Sequence, residues 1–256
     1  MKILTLKKVL LISALLGLIL VLVTILSITM GSVKVEPHRS ISILLQSILG
    51  LKGAGTETEK TIILSLRVPR ALLAGLVGAG LSLSGAIFQA LLRNPLADPY
   101  ILGVSSGAAV GAIVAILMGL GTLSFGLPLA SFIGSLLTIL IVFYFGRQEG
   151  KIHPNTLLLA GVIVSSSLSA LIMFFLSISQ REELRTIVFW LMGDFSLSNY
   201  QAIRLIFPYL LFAFLLLYAH ARQFNLILSG EESALQLGVN VERLKLISYL
   251  GASLMT

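Results

Sequence analysis

Side chains able to do chemistry are few in this sequence and widely scattered. The three histidines, His38, His153 and His220, are far apart and form neither an HxxxH nor an HExxH pair. There is no cysteine, which excludes thiolate metal sites, disulfides and cysteine nucleophiles. The stretch Gly146-Arg147-Gln148-Glu149-Gly150-Lys151 falls one residue short of a Walker A loop. It ends in Ile152, where Ser or Thr would hold magnesium. None of the long apolar runs buries a carboxylate of the kind proton-coupled carriers use, and Asp194 and Arg204 stand near the ends of such runs. The chain has no obvious engine, so any transport it performs must draw energy from elsewhere.

Composition explains the scarcity. Of 256 residues, 57% are hydrophobic and only 11% charged, with a mean hydropathy of +1.01. One water-soluble core cannot hide that much apolar surface, so the class is an all-α polytopic membrane protein. The net charge of +7 does not point to nucleic acid, because the basic residues are spread over short connecting segments without a stripe.

Uncharged runs of roughly 20 residues, enough to cross about 30 Å of hydrocarbon, set the spans. They are Val9 to Met30, Ala71 to Leu92, two spans within Pro99 to Gly146 parted by Gly119, Gly121, Gly126 and Pro128, Thr156 to Ser179, and Tyr200 to Ala219, the last with Arg204 near one end. A seventh starts near Leu244 and stops short at Thr256. The expectation is a closely packed bundle of six full spans plus a partial seventh. It forms a single transmembrane domain over 1–256, with an outer loop over 31–63 and a cytoplasmic segment over 221–245. The first run is too long for a cleaved signal peptide and reads as a retained anchor. Lys2, Lys7 and Lys8 precede it, which predicts a cytoplasmic N-terminus. On that alternation the 18 lysines and arginines divide evenly between the two sides, so the orientation rests on the first helix alone. In the outer loop, Ile41, Leu44, Leu45, Ile48 and Leu49 have helical spacing and predict a short surface helix, whereas Lys52–Lys60 reads as a solvated loop.

Small residues recur every fourth position: Ala74, Gly78, Ser82, Ala86 and Ala90; Gly103, Gly107, Gly111, Ala115 and Gly119; Gly161, Ser165 and Ser169. In lipid, helices associate where small residues let backbones approach, so these stripes predict close packing. Ser165, Ser166, Ser167 and Ser169 either face a water-filled path or bond back to their own helix. Asn94-Pro95 ends one span, and Asp98-Pro99 predicts an N-cap with proline at the first helical position of the next. Ser229-Gly230-Glu231-Glu232 fits a capping box, and Gly238 stands where a C-cap glycine belongs. The two-turn helix between them carries Ala234, Leu235 and Leu237. Too short to persist alone in water, it must pack on its own domain or on a partner.

Six ordered blocks together resemble the FecCD/BtuC family of ABC-importer permeases. They are Arg67-Val68-Pro69-Arg70 with Gly78-Ala79-Gly80-Leu81 and Gly85 to Gln89; Arg93 to Pro99; Ile101 to Ala108; Leu157 to Val162; Trp190 to Gly193; and Gly230 to Glu232 through Leu237-Gly238-Val239. The resemblance implies a homodimeric permease in a prokaryotic cytoplasmic membrane, with the translocation path between two copies. It implies a separate ATP-binding cassette ATPase dimer carrying ATP and magnesium, with no cofactor, metal or catalytic residue on this chain. It also implies an extracytoplasmic substrate-binding protein delivering a metal chelate or corrinoid. By family frequency, iron–siderophore ranks first, then cobalamin or haem.

By the same resemblance, Arg67 and Arg70 match the arginines that receive acidic residues of the binding protein, with simple interface anchoring as the alternative. Asn94 and Leu96, and more loosely Asn155 and Thr156, match cytoplasmic gates. Glu231, Glu232, Ala234, Leu237 and Gly238 match the helix that couples to the ATPase. Gly103, Gly107, Gly111, Gly161, Ser165 and Ser169 would pack the helices or line the path. The family has ten spans, so the chain reads as incomplete at its C-terminus, and 256 residues alone are expected not to transport. An ion-gradient-driven carrier or a non-transporting membrane subunit are the alternatives.

Overall fold

The computed structural model describes residues 5–51, 53, 55–122, 126–148, 151–196 and 198–256. Lys2, Lys52, and Glu149 with Gly150 of the Walker-like stretch lie outside the described residues. The chain divides into two compact units, residues 1–76 with 195–206, and residues 77–194 with 207–256.

The first unit opens with helix α1 (Leu6–Thr29), whose side chains are exposed almost throughout and only Ile28 buried, as suits a helix facing hydrocarbon. Helix α2 (Pro37–Leu49) is the expected short surface helix. It begins four residues earlier than its apolar spacing suggested, because Pro37 takes the first turn, and Gly50 at φ +68° stops it. The expected loop over Lys52–Lys60 is only partly a loop. Thr56 and Glu59 form a reciprocal capping box, and helix α3 (Glu57–Lys60) runs without a break through a π-helical stretch, Thr61–Arg67, into α4 (Val68–Leu92). The span therefore starts at Glu57 rather than Ala71. Charges at Lys60, Arg67 and Arg70 mark where the helix leaves the apolar zone, and they do not end it. The widened turn lies just before Pro69, which has no N–H to donate to the helical ladder. Tyr200 donates its hydroxyl to the Leu64 carbonyl inside that stretch, at 2.7 Å. Ile28, Val35, Ile43 and Ile63 form the core of this unit.

In the second unit the tightest pair is α5 (Val104–Leu117) with α6 (Gly126–Gly146). A Cβ added at Gly107 would lie 2.6 Å from Gly134 O, and one at Gly111 would strike Ala130 O. The glycine stripe of the third expected span thus packs backbone against backbone. That span is shorter than expected: α5 has 14 residues, about 21 Å at 1.5 Å per residue. Asp98 does not cap it. Its Oδ1 accepts the Tyr100 N–H at 2.8 Å, closing a turn, and Gly103 at φ +76° resets the chain before Val104. Among the described residues five helices are long and apolar enough to cross a membrane, namely α1, the Glu57–Leu92 helix, α6, α7 (Pro154–Ile178) and α9 (Tyr200–Ala219). The expectation of six full spans is reduced by the short α5.

Gly161 on α7 receives the Ile101–Leu102 backbone, with a Cβ there 2.5 Å from Ile101 O, and the Ser165 hydroxyl lies against Gly103. Ser167 and Ser169 donate to Ile163 O and Ser165 O, so these two hydroxyls bond back to their own helix. The stripe on α4 behaves differently. Gly78, Ser82 and Ala86 are exposed, while Gly80, Ser84, Phe88 and Leu91 are buried. Ser84 donates to Ala252 O at 2.9 Å on α12 (Val241–Met255), because the face of α4 offset from the stripe meets that helix.

Helix α8 (Arg181–Met192), not expected from the sequence, starts at a Gln180–Glu183 capping box and seats Ile187 against Ile113 and Ile116. A two-residue ribbon, Arg147–Gln148 with Lys151–Ile152, joins α6 to α7. Helices α10 (Ala221–Leu228) and α11 (Glu231–Gln236) precede α12. The largest core of the unit centres on Tyr249, whose ring lies 6.0 Å from both Phe88 and Phe143.

Candidate coupling and gating site

The sequence placed the start of α11 at Ser229, but the structure places it at Gly230. Ser229 still has helical backbone angles as the C-cap of α10, and its hydroxyl turns back to Asn225 O, so it is not free to cap the next helix. Gly230, at φ +128°, makes the reversal that a residue with a Cβ would strain to make. The far end is as expected. Gly238 sits at φ +82°, its N–H bonds to Leu235 O, and the Val239 N–H reaches Ala234 O. This Schellman arrangement satisfies the last carbonyls of the helix.

Both ends being fixed, the residues of α11 and its C-cap Leu237 divide by face. Ala234 is fully buried in the core, whereas Leu235 and Leu237 are 58% and 67% exposed. The sequence allows this helix to pack on its own domain or on a partner. Ala234 does the first, and the two leucines leave an apolar surface uncovered.

Glu231 points inward to a charge cluster that the sequence did not reveal. Lys245 on α12 is 2% exposed, and its Nζ donates to Glu231 Oε2 at 2.8 Å and to Ile152 O at 3.0 Å. Glu242 Oε1 lies 3.7 Å from the same ammonium, and its Oε2 accepts the Ile152 N–H at 2.8 Å. Arg93 reaches Glu231 Oε1 at 3.7 Å from a half-exposed position. The three-residue spacing of Glu242 and Lys245 on one helix was the only available signal. Glu231 and Ile152 join them through tertiary contact.

Arg93 opens the turn between α4 and α5 and holds φ +47°, unusual for a residue with a side chain. Asn94 Oδ1 accepts the Leu96 N–H at 2.9 Å, and Gln89 donates to Ala97 O, so the turn is fixed from within while Leu96 stays 87% exposed at its tip. Asn155, exposed in the first turn of α7, lines an open cleft of about 620 Å³ with Leu92, Arg93, Gly230, Glu231 and Glu232. Thr156 beside it is half-buried. The structure thus brings Asn155 and the glutamates of α11 around one cleft, with Asn94 and Leu96 on the turn that Arg93 starts. Gly103, Gly107, Gly111 and Gly161 serve helix packing.

Arg67 and Arg70 belong to the other unit. The Arg67 guanidinium donates to Ile28 O and Thr29 O, both at 2.9 Å, and to Val33 O, while Gly31 leaves room for it. It caps the C-terminus of α1, where a cation also complements the helix dipole. Arg70 is exposed, and its Nε donates to Phe195 O at 3.2 Å. Arg67→Ala strips donors from three carbonyls and is expected to cost about 1–3 kcal/mol, whereas Arg70→Ala should stay within about 0.5 kcal/mol. Reversible unfolding of the protein in mixed micelles measures both.

Among the described residues no group of three or more His, Asp or Glu could hold a metal ion. Comparison with known proteins is consistent with the fold. YvrB of Bacillus subtilis, an uncharacterised ABC transporter permease, is 40% identical over 215 residues, covering 82% of this chain and 61% of YvrB. The cobalamin import permease BtuC of Halobacterium salinarum is 40% identical over 200 residues, covering 78% of this chain and 54% of BtuC. The chain therefore spans between half and two thirds of the length of these relatives. A solved ABC transporter, described as of metal-chelate type and inward-facing, superposes with a TM-score of 0.78 at 33% identity, over 94% of this chain and 72% of that one. The profile of the FecCD transport family matches residues 7–256. On that match, and on a bundle of apolar helices that agrees with it, the chain belongs to the FecCD transport family.

Proposed function

We propose that this protein is the membrane-spanning permease subunit of a binding-protein-dependent ABC importer. Two copies form the translocation path in a prokaryotic cytoplasmic membrane, with the N-terminus of each on the cytoplasmic side. Hydrolysis takes place on a separate ATPase dimer holding ATP and magnesium, and the permease itself is not an enzyme. The observation that carries this reading is α11. It is a six-residue helix, capped at its far end and pinned by a buried lysine, that still presents Leu235 and its C-cap Leu237 outward. A helix held that firmly with an apolar surface uncovered suits an ATPase groove, with Glu231, Ala234 and Gly238 seating it and Glu232 and Leu237 facing the partner.

Asn94, Leu96, Asn155 and Thr156 close the cytoplasmic end of the path. On the outer side Arg70 presents its guanidinium to an acidic residue of the binding protein, and Arg67 holds α1 beside it. Arg70→Glu is then expected to weaken docking by at least about tenfold, since like charges at a docking contact cost several kcal/mol. Titration of the purified binding protein against permease in nanodiscs reads that change.

The cargo is a metal chelate or corrinoid, with iron–siderophore placed first. The test is affinity purification of the native protein from its own membranes, followed by mass spectrometry of the partners and of any ligand on the binding protein. An ATP-binding cassette subunit and a chelate-loaded binding protein are the expected companions. Recovery of neither would remove the importer reading.

A further inference from the structure

The proposed mechanism leaves one buried charge unexplained. Lys245 is 2% exposed, yet its ammonium binds α11 through Glu231, the α6–α7 ribbon through Ile152 O, and Glu242 on its own helix. Glu242 in turn binds the other polar group of Ile152. Stability alone does not call for this arrangement, because apolar side chains of similar volume in place of a buried ion cluster are often as stable or more so. Directional bonds do add a fixed register between the elements they join. Ile152 is two residues before Pro154, where α7 and the cleft-lining Asn155 begin. The cluster therefore ties α11 to the start of α7.

The second partner of Glu231 is of another kind. Arg93 is 46% exposed and 3.7 Å away, a contact that water weakens and that breaks at little cost. Its backbone at φ +47° adds local strain, of the sort found at parts that move. Glu231 thus holds one buried, short link and one exposed, long link.

We propose that Lys245 is a positioning residue that makes α11 and the N-terminal end of α7 one rigid body. The Arg93–Glu231 pair is the releasable latch through which motion of that body reaches the turn carrying Asn94 and Leu96. The inference rests on the permease reading and assigns to two residues the transfer of ATPase-driven movement to the gate.

The test uses the native protein with its co-purified ATPase and binding protein in proteoliposomes. Uptake per ATP hydrolysed is measured for wild type, Lys245→Met and Arg93→Gln, with amide exchange followed on the same samples. Lys245→Met is expected to speed exchange at Ala234, Leu237 and Ile152 together, leaving α5 unchanged. Both variants should lower uptake per ATP by at least about fivefold, the lower end of ordinary coupling energies. A merely structural role would reduce the amount of active transporter without changing that ratio, so wild-type ratios in both variants would overturn the proposal. So would faster exchange in α11 with Ile152 unaffected. If wild type itself shows no ATP-driven uptake, the permease reading fails first and the proposal with it, a result distinct from a defect confined to the variants.

Discussion

Gly107→Ala and Gly134→Ala are each expected to destabilise the protein by about 2–3 kcal/mol, the upper part of the range for overpacking. The two glycines face each other across α5 and α6: a Cβ on Gly107 meets Gly134 O, and one on Gly134 meets Gly107 O. Both obstacles are backbone atoms within helices, so neither can rotate aside. Thr138 donates its hydroxyl to the same Gly134 carbonyl and closes the remaining space. Relief requires the helix axes to separate, which costs contacts along their whole length. Once separated for one methyl group they accommodate the other, so the double variant should lose less than the sum of the singles. Gly17→Ala is the control, because nothing lies within 4 Å of its Cβ position and alanine favours a helix. Equilibrium unfolding in bicelles, read as a double-mutant cycle, measures all four.

Leu237→Asp should have the larger effect on function, an expected loss of at least about a hundredfold in ATP-driven uptake with little loss of stability. The side chain is 67% exposed beside the left-handed Gly238, so the fold makes little use of it. If α11 seats in the ATPase, Leu237 becomes an anchor at the centre of a small interface, where one truncated or charged anchor can cost 2 kcal/mol or more. An unpaired carboxylate there adds its own desolvation. Uptake in proteoliposomes and the melting temperature of the permease alone separate the two contributions. Ala234→Asp, by contrast, should abolish folding of the segment, because Ala234 has no exposed surface.

Much of this arrangement was legible in the sequence, and what escaped has physical causes. Helix α9 spans Tyr200–Ala219 as expected although Arg204 lies near its start, and α7 begins only two residues before Thr156, because a long apolar run is a sufficient signal where lipid is the solvent. The Gly103–Gly107–Gly111 stripe and the turn at Gly238 were also readable, since each depends on a missing Cβ. Limits drawn at charges failed: the helix ending in Leu92 continues back to Glu57 because a helix has no reason to stop where hydrocarbon does. Ser229 does not cap α11 because it is already the C-cap of α10, a helix that buries Phe224 and Ile227. Helix α8 has its own signal in Gln180, Glu183 and the spacing of Leu184, Ile187 and Leu191, but it is too short to register as a span. The stripe on α4 has the expected spacing, but the face that meets α12 is offset from it, since periodicity cannot say which side a neighbour occupies. The Lys245 cluster joins residues 93, 152, 231, 242 and 245, which no local pattern connects.

On the proposed function, this permease moves a chelate only when an ATPase drives it through α11. The most direct measurement is uptake of ferric siderophore, cobalamin and haem by proteoliposomes holding the native protein and its ATPase, with ATP inside and the loaded binding protein outside. The expected result is accumulation of one of these that requires both ATP and the binding protein and disappears with Leu237→Asp. Accumulation driven by an ion gradient without ATP, or ATP-driven accumulation untouched by Leu237→Asp, would contradict it.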